Sequence, residues 1–251
     1  MTRTRSSLLD LAPYVRHLGW ASLAANIAIV VTGGAVRLTG SGLGCPTWPR
    51  CTEESFRPRG ELDLHTAIEF GNRMLTFVLV AIAVATFVAA VQSKRPHVFR
   101  LALVLALGVP AQALIGGVTV LTDLNPWVVS LHLLLSMAMV GVAVLLLHRL
   151  DHPDATWQRG PTAAFAWVLL ASAWVVLFLG TVVTGAGPHA GDAETPRNGL
   201  DTLETSQLHA DAVFLLVGLS IGMAFLLGAT RGRGPALRAA LVLLAVEAGQ
   251  S

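Results

Sequence analysis

Within ten residues, Leu64-His65-Thr66-Ala67-Ile68-Glu69-Phe70-Gly71-Asn72-Arg73 brings an imidazole, a carboxylate, an amide and a guanidinium to the mouth of a long apolar run. His65, Glu69 and Asn72 are spaced four and three apart, so a helix presents all three on one face. Ionisable groups inside a membrane span are costly, and by default they mark a functional site. Two more histidines, His132 and His209, stand near the heads of other apolar runs. Imidazoles on facing helices of a bundle can grip a haem iron from both sides. Zinc and copper also accept imidazole, but no cysteine or carboxylate cluster accompanies each histidine here. Any one of the three alone is as readily a hydrogen-bonded polar residue; three at one depth of one leaflet point to a shared ligand. His17, His97, His148 and His152 flank Arg or Lys at span ends and read as interfacial, and His189 lies in a loop.

The elements that must carry these residues are membrane helices. Of 251 residues, 54% are hydrophobic and 13% charged, against about 25% charged in a soluble domain. Runs of roughly 20 apolar residues suffice to span a bilayer. They fall at about 17–37, 66–92, 100–121, 127–148, 162–185, 207–229 and 236–251. The first run is too long for a cleaved signal peptide and lacks a small-residue cleavage site. Trp20, Trp48, Trp127 and Trp157 sit near span ends, where an interfacial belt would place them. Net charge is only +2 and no basic block occurs, so nucleic acid is not an expected partner.

Loop charge sets the orientation. Arg3, Arg5 and Arg16, then Lys94, Arg95 and Arg100, then Arg149 and Arg159, then Arg231, Arg233 and Arg238 load alternate loops. Loop 122–126 has no basic residue, and loop 187–206 sets Arg197 against four acidic residues. Loop 38–64 is mixed, with Arg50, Arg57 and Arg59 against Glu53, Glu54, Glu61 and Asp63. The positive-inside rule then puts the N-terminus in the cytoplasm and these three loops outside. The only cysteines, Cys45 and Cys51, lie in the first outer loop. On the oxidising side of a membrane a disulfide suits them, with two unpaired thiols as the alternative. A zinc site would need a second ligand pair.

An internal repeat divides the chain. Arg100-Leu101-Ala102-Leu103-Val104-Leu105 through Gln112 matches Arg238-Ala239-Ala240-Leu241-Val242-Leu243 through Gln250, and Leu64-His65 matches Leu208-His209. Thr39-Gly40-Ser41-Gly42 and Thr184-Gly185-Ala186-Gly187 each follow a span into an outer loop. An even number of helices per unit gives both the same orientation, a parallel repeat. The expected fold is an all-α polytopic membrane protein of two pseudo-equivalent four-helix bundles, residues 1–150 and 151–251. The second is expected to be incomplete, with about seven spans present and the eighth missing, as in a fragment.

Gly33-Gly34-Ala35-Val36-Arg37-Leu38-Thr39-Gly40-Ser41-Gly42-Leu43-Gly44-Cys45-Pro46-Thr47-Trp48-Pro49 resembles the first-loop signature of the haem A synthase family. Ile68-Glu69-Phe70-Gly71-Asn72-Arg73, Gly116-Gly117-Val118-Thr119-Val120-Leu121 and the stretch Val128 to His132 are similar to the same family, in its bacterial, actinobacterial-type branch. The resemblance covers nearly the whole chain. It implies an eight-helix oxidoreductase of the cell membrane that oxidises the C8 methyl of haem O to the formyl group of haem A for terminal oxidases. It also implies that the first four helices hold the substrate haem, that the last four hold a haem b cofactor, and that Cys45 and Cys51 are bonded. Glu69 then matches the family's important acidic residue and is the candidate catalytic group, to orient water or shuttle protons near the reacting methyl. His132 and His209 match iron-ligating histidines. Arg37 and Arg73 are candidates for the haem propionates.

The family's usual Glu-x-x-His-Arg reads Glu69-Phe70-Gly71-Asn72-Arg73 here, so Asn72 stands where a histidine is customary. His65, one turn away, is the available substitute ligand. Expected partners are haem O and haem A, membrane lipid, haem O synthase, terminal oxidase assembly factors and a second copy of the chain. Two other classes stay open: a non-catalytic bis-histidine b-type cytochrome that transfers electrons, and a small-molecule permease.

Overall fold

The computed structural model describes residues 10–58, 64–188, 190–192 and 194–250. Arg3, Arg5, Arg59, Glu61, Asp63 and His189 of the sequence reading lie outside them. Seven α-helices follow in order: α1 (Val15–Leu38, after a 3-10 turn at Ala12–Tyr14), α2 (Leu64–Ser93), α3 (Pro96–Leu121), α4 (Pro126–Asp151), α5 (Pro161–Ala186), α6 (Thr202–Arg231) and α7 (Pro235–Ala248). The first six are long and apolar enough to cross a membrane, and α7 has 14 residues. The chain is an all-α, multi-pass membrane protein.

Local sequence explains where the helices begin. Proline stands at the first position of α3, α4, α5 and α7, where its fixed φ suits a helix and its missing N–H is not needed. Asn125 caps α4 by accepting from Trp127 N at 3.0 Å. Asp201 caps α6 by accepting from Glu204 N at 2.8 Å. The turn between α3 and α4 is tight: Asp123 and Leu124 both have positive φ, and Leu124 N donates to Thr119 O at 2.7 Å.

The chain divides into two compact units, Met1–Ala155 with Pro188–Asn198, and Thr156–Gly187 with Gly199–Ser251. In the first, α1 packs on α2, α2 on α3, α3 on α4 and α4 back on α1, which closes a four-helix bundle. The segment Pro188–Asn198, expected with the second half, joins this bundle through Gly42 N donating to Gly191 O at 3.0 Å. Ala89, Ala90, Ala102 and Ala143 are fully buried. Small side chains let helices approach where lipid offers no hydrophobic drive between them. Gly108 goes further, because a Cβ there would stand 2.8 Å from Met139 Cε. Phe77, Val84, Leu107 and Leu114 are exposed, as lipid-facing residues must be. In the second unit α5 packs on α6 and α6 on α7.

One end of the first bundle is tied by polar contacts: Arg16 Nε to Asp151 Oδ1 at 2.7 Å, and Leu11 N to Gln92 Oε1 at 2.6 Å. The opposite end carries the long loop between α1 and α2. Ala102→Leu should lower thermal stability through overpacking by about 1–3 kcal/mol. Val104→Leu, on an exposed position of the same helix, should leave the melting curve in detergent unchanged. Equal melting temperatures for the two variants would contradict this packing.

Candidate functional site

The first two turns of α2 hold the loop above the bundle. Glu69 is 5% exposed; its Oε2 accepts the Cys45 N–H at 2.6 Å. Its Oε1 accepts from Arg73 Nε at 3.0 Å and from Arg73 Nη2 at 2.5 Å. The spacing of four residues brings the two charges to one helix face. Arg73 then reaches over the loop: Nη2 donates to Cys45 O at 2.7 Å, and Nη1 donates to Thr47 O at 2.9 Å and Arg50 O at 3.2 Å. A guanidinium has five N–H donors, and here each has an acceptor. This corrects the propionate role expected of Arg73, which has no donor left for an added anion.

The loop is closed by a Cys45–Cys51 disulfide, S–S 2.01 Å, which withdraws both sulfurs from metal ligation. Gly44 is where it touches α2, since a Cβ there would lie 2.9 Å from the His65 carbonyl. Backbone cannot yield as a side chain can, so the position requires glycine. Trp48 lies over Gly117 of α3, where a Cβ would come within 2.4 Å of the indole. It is therefore a packing residue of the loop, not a member of the interfacial belt. Trp20, Trp127 and Trp157 are exposed.

The three histidines fall into two groups. His65 is the second residue of α2 and exposed; its Nδ1 lies 3.0 Å from Ser41 Oγ, which meets Thr39 Oγ1 at 2.7 Å. His132 and His209 are deeper, and the Nδ1 of each is buried with no hydrogen-bond partner among the described residues. Each ring rests on a glycine of the preceding helix. A Cβ on Gly116 would stand 3.3 Å from His132 Cε1, and one on Gly180 would stand 3.2 Å from His209 Cε1. Asn72, His132 and His209 lie eight, six and seven residues past the first residues of their helices, and His65 only one. At 1.5 Å per residue the former three share a depth of about 9–12 Å. The register of the two 30-residue helices α2 and α6 thus sets His209 against Asn72, not against His65 as the Leu-His match suggested. Asn72 itself is tied to α1, its Oδ1 2.7 Å from Thr32 Oγ1.

These surroundings fit a haem. A buried polar atom without a partner costs about 1–3 kcal/mol, and coordination or donation by a bound group would recover it. The glycines beneath His132 and His209 leave room for the rings themselves. His65 is held differently: the Ser41 hydroxyl on Nδ1 fixes the orientation of its ring, as an outer hydrogen bond does for a ligating imidazole. Arg37 ends α1 and is half-buried, with its Cγ 3.9 Å from where a Cβ on Gly191 would be and with Arg197 within electrostatic reach. Two cations facing one another favour an anion between them.

Gln112 and Ser136 belong to this site and were not among the sequence candidates. Gln112 Nε2 donates to Ser136 Oγ at 2.8 Å and to His132 O at 3.2 Å, and Ser136 Oγ donates to His132 O at 2.9 Å. The signal for Gln112 was present as a marker of the repeat, matched with Gln250. Only the packing of α3 on α4 gave it a partner.

The sequence model of COX15-CtaA, a cytochrome oxidase assembly protein, matches residues 16–246. A "Heme A synthase" of Staphylococcus haemolyticus (strain JCSC1435) is 29% identical over 187 residues, covering 68% of this chain and 60% of the relative. One from Geobacillus thermodenitrificans is 32% identical over 121 residues, covering 47% of this chain and 37% of the relative. One from Lysinibacillus sphaericus (strain C3-41) is 33% identical over 138 residues, covering 52% and 44%. The chain spans about 60% or less of the length of these curated relatives.

Arg73→Lys should destabilise the loop despite keeping the charge. An ammonium has three donors on one atom and cannot serve Glu69 and three carbonyls together. Disrupting a buried pair in this way costs about 3 kcal/mol. Faster proteolytic nicking between residues 45 and 58 is the expected readout, and nicking at the wild-type rate would refute the clamp.

Proposed function

Because the chain belongs to the COX15-CtaA cytochrome oxidase assembly family, we propose that it serves haem A synthesis, oxidising the C8 methyl of haem O to a formyl group. The observation that carries this reading is the seat of His132: an imidazole on a bare glycine, one ring nitrogen buried and unpartnered, inside a helix bundle roofed by a disulfide loop. Relatives named "Heme A synthase", 29% and 32% identical to this chain over 187 and 121 residues, support the same reading. A haem bound there would supply the redox-active iron.

In this reading the unit formed by residues 1–150 takes the substrate haem. His132 is one ligand and His65, oriented by Ser41, is the other, standing in for the histidine that Asn72 replaces. His209, in residues 151–251, is a ligand of haem b. Arg37 receives a propionate through its planar fork of donors, with Arg197 beside it. Glu69 serves the reaction by position: its carboxylate fixes Cys45 and Arg73, and so keeps the loop shut over the site and water out. Haem O synthase, as the supplier of substrate, terminal oxidase assembly factors, as recipients of product, and a second copy of the chain are the proposed partners. The proposed location is the cell membrane, and the distribution of loop charge supports a cytoplasmic N-terminus.

The test uses the purified chain, its visible spectrum and chromatography of the haems extracted after aerobic expression with a haem O source. His132→Ala and His65→Ala should each lower the Soret absorbance per protein while helical content stays constant. Glu69→Ala should leave haem bound and stop formyl haem from accumulating. Undiminished formyl haem in Glu69→Ala would reject the role of that residue. A reversible bis-histidine spectrum with unaltered haem side chains in the wild type would identify an electron-transfer cytochrome instead. Absence of any Soret band would identify a permease.

A further inference from the structure

We infer that Gln112 is a specificity residue, whose Oε1 accepts a hydrogen bond from a hydroxyl on the edge of the porphyrin; the inference rests on the haem reading above. Gln112 Oε1 is buried and has no partner. Its orientation is determined by its neighbours. Ser136 has one hydroxyl proton, and it goes to His132 O at 2.9 Å. The Ser136 oxygen must then accept, and Gln112 Nε2 donates to it at 2.8 Å as well as to His132 O at 3.2 Å. Turning the amide over would set its carbonyl oxygen 3.2 Å from the His132 carbonyl oxygen with no proton between them. The amide nitrogen therefore faces α4, and the acceptor is left over.

A carbonyl oxygen stripped of water and given no donor opposes folding, and leucine or methionine would fill the same space without that cost. The leftover acceptor therefore suits a ligand that brings its own donor. Its place fits the edge of a porphyrin. Gln112 lies one helical turn from Gly116, on which the His132 ring rests, and on the side away from the outer loop. Arg37 lies at the other end, where α1 runs into that loop. A haem whose propionates meet Arg37 turns its opposite edge toward Gln112. Propionates, vinyls, methyls and formyls offer no donor at neutral pH. A hydroxyalkyl side chain does, and haem O carries one where protohaem carries a vinyl. The acceptor thus admits the hydroxylated haem in preference to the abundant vinyl one. A site built around a hydroxyl discriminates strongly against the analogue that lacks it.

The experiment titrates the detergent-solubilised chain with haem O, haematohaem and protohaem, followed in the Soret region. Haematohaem has the hydroxyethyl groups without the long isoprenoid tail, so it separates the hydroxyl from the tail. Wild-type protein is expected to bind haem O and haematohaem about tenfold more tightly than protohaem, the size of one recovered buried hydrogen bond. Gln112→Met, close in volume and a good helix former, should abolish that preference by weakening the two hydroxylated haems while protohaem shifts less than twofold. If the variant does not fold, the wild-type comparison of haematohaem with protohaem reads the same preference unaided. Equal binding of those two by wild-type protein, or an equal loss for all three haems in Gln112→Met, overturns the assignment and leaves the haem site standing. A Soret response to none of the three overturns the haem site itself.

Discussion

At the depth of a membrane, a polar group has no water to turn to, and the protein must answer it from within. The pair Glu69–Arg73 meets that demand and organises the site in doing so. Either charge alone on α2 would be costly. Set four residues apart they neutralise one another, and their remaining capacity goes to the Cys45 N–H and the carbonyls of Cys45, Thr47 and Arg50. An irregular loop with few backbone partners of its own is thereby held against regular helix. Once it is held, Gly44 can touch α2 and Trp48 can lie on Gly117. The disulfide then closes a segment that the ion pair already positions.

The same rule makes its exceptions informative. Among the described residues, His132 Nδ1, Gln112 Oε1 and Thr195 Oγ1 in the first unit, and His209 Nδ1 and Glu247 Oε2 in the second, are buried and unanswered. Chance would not set two of them within one small network on facing helices, where Ser136 and the His132 carbonyl share the neighbouring protons. The helices satisfy every other demand of this network and leave open a ring nitrogen and a carbonyl oxygen. In the proposed haem reading, the imidazole would meet the iron and the carbonyl oxygen would meet a hydroxyl of the same ligand.

Much of the architecture was legible because hydrocarbon imposes it residue by residue. Length and hydropathy located the helices to within a few residues, since a span must be apolar throughout and prolines mark its start. The two cysteines could be paired because they stand six residues apart in one outer loop. The family could be seen from Gly33 to Pro49, because a loop that must seat on helices needs glycines where backbone meets backbone. Candidate ligands were legible as residue types: a histidine amid leucines stands out at any depth.

What the linear order could not supply was register and partnership. Leu64-His65 and Leu208-His209 look alike as strings, yet their helices begin at different distances from them, so His209 shares its depth with Asn72. Arg73 reads as a free cation until four acceptor oxygens, three of them on the loop, close around it. Gln112 is an ordinary polar residue until Ser136, 24 positions away, takes its protons. The sequence by itself determined which segments enter the membrane and which side chains could do chemistry, because transfer into hydrocarbon is a local, additive cost. Only the tertiary structure decided which of those side chains are already satisfied and which remain open, because a hydrogen bond depends on atoms brought to within about 3 Å from distant parts of the chain.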